Sequence, residues 1–387
     1  MTKYTTVFTA LLRYLSRSDF DSSVAAHNGD YKVRTFSCFD LLKSMLFGQI
    51  LNCFSVREIE ASMRANGNRL YHSGLKPIKR STFCDALENR PHQVFQSAFY
   101  KLVDYAQGIA CKMKKQFANP LRIIDASIIS LCLAQFDWAK YRKAKGAVKL
   151  HMSLDGDNLI PYDAILSNGK VHDTAVMEKL TSETGMIYVL DRGYVDYKSL
   201  YSIELNGSVF VTRMKRNGAY KRVKENPCAE GGPVLFDVLI MLTGKKTKEL
   251  YPKEMRIVKY YDEENDRTFE FLTNDLKRPA EEVALIYKKR WEVELFFKWI
   301  KQHLKVKSFW GTSENAVYSQ IWAALILTVL LWIARVMEGI TASPYELLIM
   351  MKVALLTKNT LAGLCTNSMP LKPDEECFQP FLEGFKW

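Results

Sequence analysis

The runs RIIDASIISL (122–131), AVKLHMSLDG (147–156) and LIPYDAILSNG (159–169), then HDTAVMEKLT (172–181), MIYVLDRG (186–193) and SVFVTRMKRNG (208–218), decide the fold class. All but HDTAVMEKLT are short, rich in β-branched and aromatic residues and bounded by turn formers, as strands are. HDTAVMEKLT has helical spacing, and a second helix starts near Val195. Three strands, then helix, strand, helix and strand, predict an α/β domain with a mixed sheet flanked by helices.

Outward from this core the texture changes. Ala219 to Asn274 reads as a β-rich insertion, with turn chemistry at Glu230-Gly-Gly-Pro233 and a hairpin in EMRIVKYYDEENDRTFEFLTND. Pro279 then opens a helix that runs to about Leu304. Upstream, Phe39–Ala65 and Val94–Ala110 carry apolar residues at helical spacing. Ser55-Val-Arg-Glu58 reads as a capping box, and Thr82-Phe-Cys-Asp85 as the opening of a further helix. Two short helices joined by a turn suggest a helix-turn-helix that presents Lys79, Arg80, Ser81, Asn89 and Arg90 to DNA. Their connection is longer than the usual turn, and a helical cap with a solvated basic face fits the same residues equally. Downstream, Ser313–Gly339 and Tyr345–Leu356 read as helices. The expected segments are a helical DNA-binding region (1–119), a catalytic core (120–311, with the insertion at 219–274) and a helical C-terminal region (312–387).

The 387 residues carry a net charge of +12, which favours a polyanionic partner, nucleic acid first. The most apolar run, Ile321–Ala334, falls short of the roughly 20 residues of a bilayer span and reads as a buried core helix, so no membrane partner is expected. The N-terminus lacks a cleavage pattern, and a cytoplasmic protein is the expectation. Eight cysteines without a Cys-x-x-Cys pair, and histidines away from zinc spacing, disfavour disulfide and zinc frameworks.

Asp125 follows Ile123-Ile124, and Asp191 follows Tyr188-Val-Leu190, each where a strand leaves the core. Either alone fits a turn or cap; two on neighbouring strands could share a divalent cation. A third carboxylate is on the long helix. With Glu294 at zero, Tyr287 falls at about +20°, Arg290 at about −40°, Lys298 at about +40° and Lys301 at about −20°, one polar stripe on an apolar helix. A solvated ion-pair ladder of Arg290, Glu294 and Lys298 is the alternative, but it leaves Tyr287 and Lys301 without a reason.

The spacing Tyr287-x2-Arg290-x3-Glu294-x6-Lys301 resembles the Tyr-Arg-Glu-Lys signature of bacterial insertion-sequence transposases, which carry an Asp-Asp-Glu triad on an RNase H-like fold. Ile124-Asp125-Ala-Ser127, Lys149-Leu-His151, Gly169-x2-His172-Asp173 and Asp191-Arg-Gly-Tyr194 are similar to further blocks of that family. The resemblance covers roughly Ile123 to Lys301. It implies that Asp125, Asp191 and Glu294 hold two Mg²⁺ ions, with Mn²⁺ able to substitute, for in-line phosphoryl transfer. It implies cut-and-paste transposition: hydrolytic nicking at the element's end, hairpin formation and opening, then strand transfer. It also implies double-stranded DNA partners, the terminal inverted repeats and the target, and a homodimer in the synaptic complex. By carry-over Tyr287, Arg290 and Lys301 hold phosphates; Lys298, outside the signature, faces the same way.

The chain departs from the hairpin-forming type at one point, since no tryptophan lies between Trp138 and Trp291 to stack on a flipped base. Tyr220, Phe236, Tyr260, Tyr261, Phe269 and Phe271 are the available aromatic faces, though hairpin packing accounts for each. Lys140, Arg142 and Lys143, with Arg192 and the helix's lysines, are candidates for a phosphate track. His151 and His172 read as core or surface residues. A structure-specific nuclease without strand transfer, and a non-catalytic DNA-binding protein, are the other functions these features allow.

Overall fold

In a computed structural model the chain is described over residues 5–142, 145–215 and 218–366. The strands are β1 (Leu121–Leu131), β2 (Lys140–Arg142), β3 (Lys145–Asp155), β4 (Pro161–Asn168), β5 (Ile187–Leu190), β6 (Val209–Arg213), β7 (Tyr220–Asn226), β8 (Val234–Leu242), β9 (Met255–Asp262) and β10 (Arg267–Thr273). The described residues form two compact units. One contains 5–112, 129–142, 145–148 and 298–366, and the other 113–128, 149–215 and 218–297. The two terminal helical segments read from the sequence thus share one unit.

The strands follow the order β2-β3-β1-β5-β6-β10-β9-β8-β7, with β4 on β3. β1 pairs parallel with β5, and β5 parallel with β6. β5 is buried at all four residues, as a central parallel strand should be. The expected mixed sheet with flanking helices is present, and the helices Thr174–Leu180 and Tyr197–Leu205 bury Met177, Leu200 and Ile203 against Tyr188, Leu190 and Phe210.

The β-rich segment 219–274 extends the sheet, because β10 pairs antiparallel with β6, setting Leu272 opposite Thr212. The open edge of β6 thereby gains its hydrogen-bond partners, and the new edge, β7, is an exposed strand carrying Lys221, Arg222, Lys224 and Glu225, which discourages further pairing. The β9–β10 hairpin forms as read, with Asp266 at φ 49° in its turn. The helix from Pro279 is in fact two, Ala280–Lys288 and Trp291–His303. Between them the Arg290 N–H closes onto the Tyr287 carbonyl at 2.9 Å, three residues back rather than four. Neither glycine nor proline marks the break, and Lys289 on Glu292 and Arg290 on Glu294 pair across it.

The helical unit is organised by Glu314–Glu338, which packs on His92–Ala110, Cys38–Ile50 and Arg80–Asn89. This helix is long and apolar enough to cross a membrane, but its most apolar stretch is 89% buried, with Trp322 against Phe99. Gly339 ends it at φ 63°. Ser313 starts it by accepting from the Ala316 N–H at 3.2 Å and donating to Glu88 at 2.8 Å. Ser313→Ala is therefore expected to destabilise this unit by about 1 kcal/mol, read as a lowered melting temperature that Ser313→Asp largely restores; equal melting of Ser313→Ala and wild type would remove the cap from the account.

Ser55 caps Val56–Ala65 as expected, while Glu58 reaches back to the Phe54 N–H rather than to that of Ser55. The next helix starts at Arg80, not at Thr82, which lies inside it. All described cysteines are free.

Candidate active site

The site begins where β5 ends beside the middle of β1. The β1–β5 register pairs Ile123 with Val189 and Ile124 with Leu190, all fully buried. Its next step sets Asp125 beside Asp191, half-buried where the apolar run stops. Asp125 Oδ1 accepts from the Ala126 N–H at 2.7 Å. Asp191 sits one residue past β5 and heads the 3₁₀ turn Arg192–Tyr194; its carboxylate accepts from the Gly193 N–H at 3.4 Å. Burial pushes Asp125 up to about 6, with Asp191 and Glu294 adding to the rise and the Ala126 N–H and Arg290 opposing it.

Glu294 lies in the first turn of Trp291–His303. The Arg290 guanidinium joins it to Asp125: Nη2 is 2.7 Å from Glu294 Oε1, and Nη1 is 3.5 Å from Asp125 Oδ2. Arg290 is only 13% exposed, so this is no solvated ladder. One guanidinium stands against three carboxylates, and the surplus negative charge and all-oxygen donor set suit a hard divalent cation. Among the described residues no three such groups stand close enough to enclose a metal ion; Asp125 and Glu294 share Arg290 instead.

Tyr287 belongs to the preceding helix, so tertiary packing, not the helical stripe, brings it near. It is 5% exposed, packs on Phe271 at 4.8 Å between centroids, and its hydroxyl has no hydrogen-bond partner among the described residues. Burial first, then Asp191, raises it to about 12, against Arg290 and Arg213. Beside it a shallow cleft is lined by Tyr260, Phe269, Phe271, Leu285 and Lys288. Arg213 lies over the Phe269 ring at 5.3 Å.

A polar cluster that sequence reading left unassigned lies by the Asp191 turn. Lys149 and His151 project from one face of β3, and Asp173 precedes the helix Thr174–Leu180. Lys149 Nζ is 2.6 Å and His151 Nδ1 3.5 Å from the same oxygen, Asp173 Oδ1. His151 is fully buried, its Nε2 is 3.0 Å from Ser167 Oγ, and burial pushes it down to about 4, so the ring is neutral at pH 7. Tyr194 is 2% exposed with an unpartnered hydroxyl, raised by burial and then by Asp173, Asp125 and Asp191. The sequence blocks Lys149-Leu-His151, Gly169-x2-His172-Asp173 and Asp191-Arg-Gly-Tyr194 contain its members, but nothing in them showed that they meet. His172 is exposed.

The remaining candidates scatter. Arg192 is half-buried with Nε unpartnered. Lys298 and Lys301 lie on the continuation of the Glu294 helix that belongs to the helical unit; Lys298 is exposed, and burial lowers the half-buried Lys301 amine, with Lys307 adding to it. Lys140 is exposed on β2, which also carries Arg142; Lys143 lies outside the described residues. Arg80 is exposed at its helix start. Arg90 is half-buried, with Nη2 donating to the Phe36 carbonyl at 3.2 Å and Nε 4.0 Å from Asp30.

A family model described as the transposase DDE domain matches residues 116–330, and one described as a domain of unknown function matches residues 3–76. The y4zB transposase of Sinorhizobium fredii is 34% identical over 284 residues, 71% of this chain and 77% of its own. The transposase for insertion sequence element IS5377 of Geobacillus stearothermophilus is 29% identical over 333 residues, 86% of this chain and 85% of its own. That for element IS4SA of Synechocystis is 25% identical over 328 residues, 81% and 88% of the two chains.

Proposed function

The chain belongs to the family of insertion-sequence transposases with a DDE domain, and from that premise we propose that it moves its element by cut-and-paste, with Asp125, Asp191 and Glu294 as the catalytic carboxylates. A DNA-cleaving and strand-transferring activity follows from the family; the residues, the route and the partners are our reading. What carries it is that Asp125 and Asp191 each directly follow the last register pair of β1 and β5, Ile124 with Leu190, while Glu294 is joined to Asp125 through Arg290.

The three carboxylates would hold two Mg²⁺ ions, or Mn²⁺ in their place, which when bound supply Lewis acidity and an activated oxygen for phosphoryl transfer. The chain's own groups do the rest. Asp125 must be ionised to take part, which its surroundings resist until pH rises past about 6. Arg290, charged at any working pH, holds Glu294 and Asp125 in one orientation and limits their repulsion. The buried Tyr287 hydroxyl and Arg213 offer a donor and a charge to a scissile phosphate. Nicking, hairpin formation, hairpin opening and strand transfer are one type of displacement, so a single site suffices. The aromatic cleft beside Tyr287 gives a flipped base a stacking face without the tryptophan of the hairpin-forming type.

Lys140, Arg142, Lys143, Arg192, Lys298, Lys301 and Arg80 are proposed phosphate contacts for the terminal repeats and target, with a homodimer in the synaptic complex. Lys298→Ala and Lys301→Ala are each expected to weaken end binding for all sequences alike and to reduce its log–log salt slope by about 1; an unchanged slope removes that lysine.

The test is cleavage of a labelled duplex bearing the element's own end, with Mg²⁺ or with EDTA. Metal-dependent nicking, then a hairpin, then product joined to target DNA is the expected sequence. Cleavage without joining makes the chain a nuclease, and binding without cleavage defeats the reading.

A further inference from the structure

Asp191 is the least supported of the three carboxylates. Asp125 has the Ala126 N–H and Arg290, and Glu294 has Arg290. Asp191 has only the Gly193 N–H at 3.4 Å, and among the described residues no side chain donates to its carboxylate. Its direction is therefore set by the turn it heads, closed by Tyr194 N–H to the Asp191 carbonyl at 3.0 Å and Val195 N–H to the Arg192 carbonyl at 3.2 Å.

The cluster of Lys149, His151 and Asp173 abuts that turn. Lys149 and His151 both address Asp173 Oδ1, which leaves Oδ2 to face the turn. A Cβ added at Gly193 would lie 3.9 Å from Asp173 Oδ2 and 3.7 Å from Asp191 Oδ2. The two carboxylates thus flank one backbone position. The fully buried His151, fastened to Ser167 on β4, keeps the anchoring face from shifting. Tyr194 places its buried, unpartnered hydroxyl in the field of Asp173, Asp125 and Asp191. Stability alone is a poor reason for this arrangement, since apolar side chains of like volume often replace a buried ion pair at no cost. What the ion pair supplies is a carboxylate of fixed direction.

We propose that Lys149, His151 and Asp173 form a brace that fixes the Asp191–Tyr194 turn, with Asp173 as a positioning residue for Asp191 and Tyr194 as the side chain through which it acts. The role in catalysis rests on Asp191 being a catalytic carboxylate; the mechanical role does not.

The test uses Asp173→Asn, Tyr194→Phe, Lys149→Met and Lys149→Arg in the full chain. Hydrogen exchange of the peptide spanning 187–196, in free protein without DNA or metal, should quicken about tenfold at Gly193 and Tyr194 in Asp173→Asn and Lys149→Met, with the melting temperature little changed. Lys149→Arg, which keeps the charge, should retain protection. Cleavage of the element's end should then fall about 10–100-fold in kcat for Asp173→Asn and Tyr194→Phe, as for other groups that orient a ligand, with KM for the DNA end within about twofold. Unchanged exchange at the turn overturns the brace, as does a loss that falls on KM and melting temperature together. Should Asp173→Asn fail to fold, Tyr194→Phe, which leaves the ion pair intact, decides the catalytic part. If the turn loosens but the wild type cleaves nothing, the brace stands and the catalytic reading falls.

Discussion

Glu294→Gln is expected to lower the rate of strand cleavage at the element's end by ~10³-fold or more, on the order of 4 kcal/mol of barrier, while affinity for that end changes by less than about twofold. The amide keeps the side chain's shape and an acceptor for Arg290 Nη2, and Arg290 keeps Asp125 as its second partner, so the helix Trp291–His303 stays in place. Only the charge is lost, and with it the third anionic oxygen donor. A melting temperature within a few degrees of wild type would show that the loss is chemical. Arg290→Ala is the informative contrast, since it leaves Asp125 and Glu294 uncompensated and should harm folding as well as rate. Cleavage by Glu294→Gln at the wild-type rate would take Glu294 out of the mechanism.

How much of this was legible depended on whether a feature is local. Ile123-Ile124-Asp125 and Tyr188-Val-Leu190-Asp191 announce apolar strands that end on a carboxylate, and their helix-linked order makes parallel pairing the natural outcome. Ser313 and Gly339 bracket their helix in the sequence as they do in the structure. What stayed hidden is non-local. Strands β7 to β10 could be read one by one, yet that β10 adds to β6 depends on an edge left open far away in the chain. Lys289-Arg290 has no glycine or proline, so nothing local foretold the break, and Tyr287 falls on the helix before that of Glu294 and not on one shared stripe. Arg90 looked like a free cation at a helix end, and only the fold reveals Asp30 and the Phe36 carbonyl beside it. The Lys149–Asp173 cluster joins a strand to a helix start across a β-hairpin, a contact that no spacing encodes.

Asp125→Asn is expected to abolish cleavage and, without divalent cations at pH 7–8, to raise the melting temperature. The sign follows from the carboxyl's two states. Its ordinary value of 3.8 applies to the unfolded chain and about 6 to the folded one, so the folded protein binds this proton more tightly. Ionised Asp125 therefore opposes folding: the cost is absent below about pH 4, grows between about 4 and 6, and is complete above. It amounts to about 2–3 kcal/mol, enough for a shift of several degrees. Asparagine removes it, and Arg290, losing its 3.5 Å partner, keeps Glu294 at 2.7 Å. A divalent cation should offset the same repulsion in the wild type, so Mg²⁺ should raise the wild-type melting temperature and leave Asp125→Asn nearly unmoved. At pH 4 the two proteins should melt alike. A lower melting temperature for the variant at pH 8, or an equal response of both proteins to Mg²⁺, would show that Asp125 is placed for the fold and not for a cation. The expected pattern makes the opposite case: Asp125 and Glu294, held together by a single guanidinium with Asp191 beside them, weaken the protein by their repulsion, and a partner of opposite charge that the reaction brings is what gives that arrangement its use.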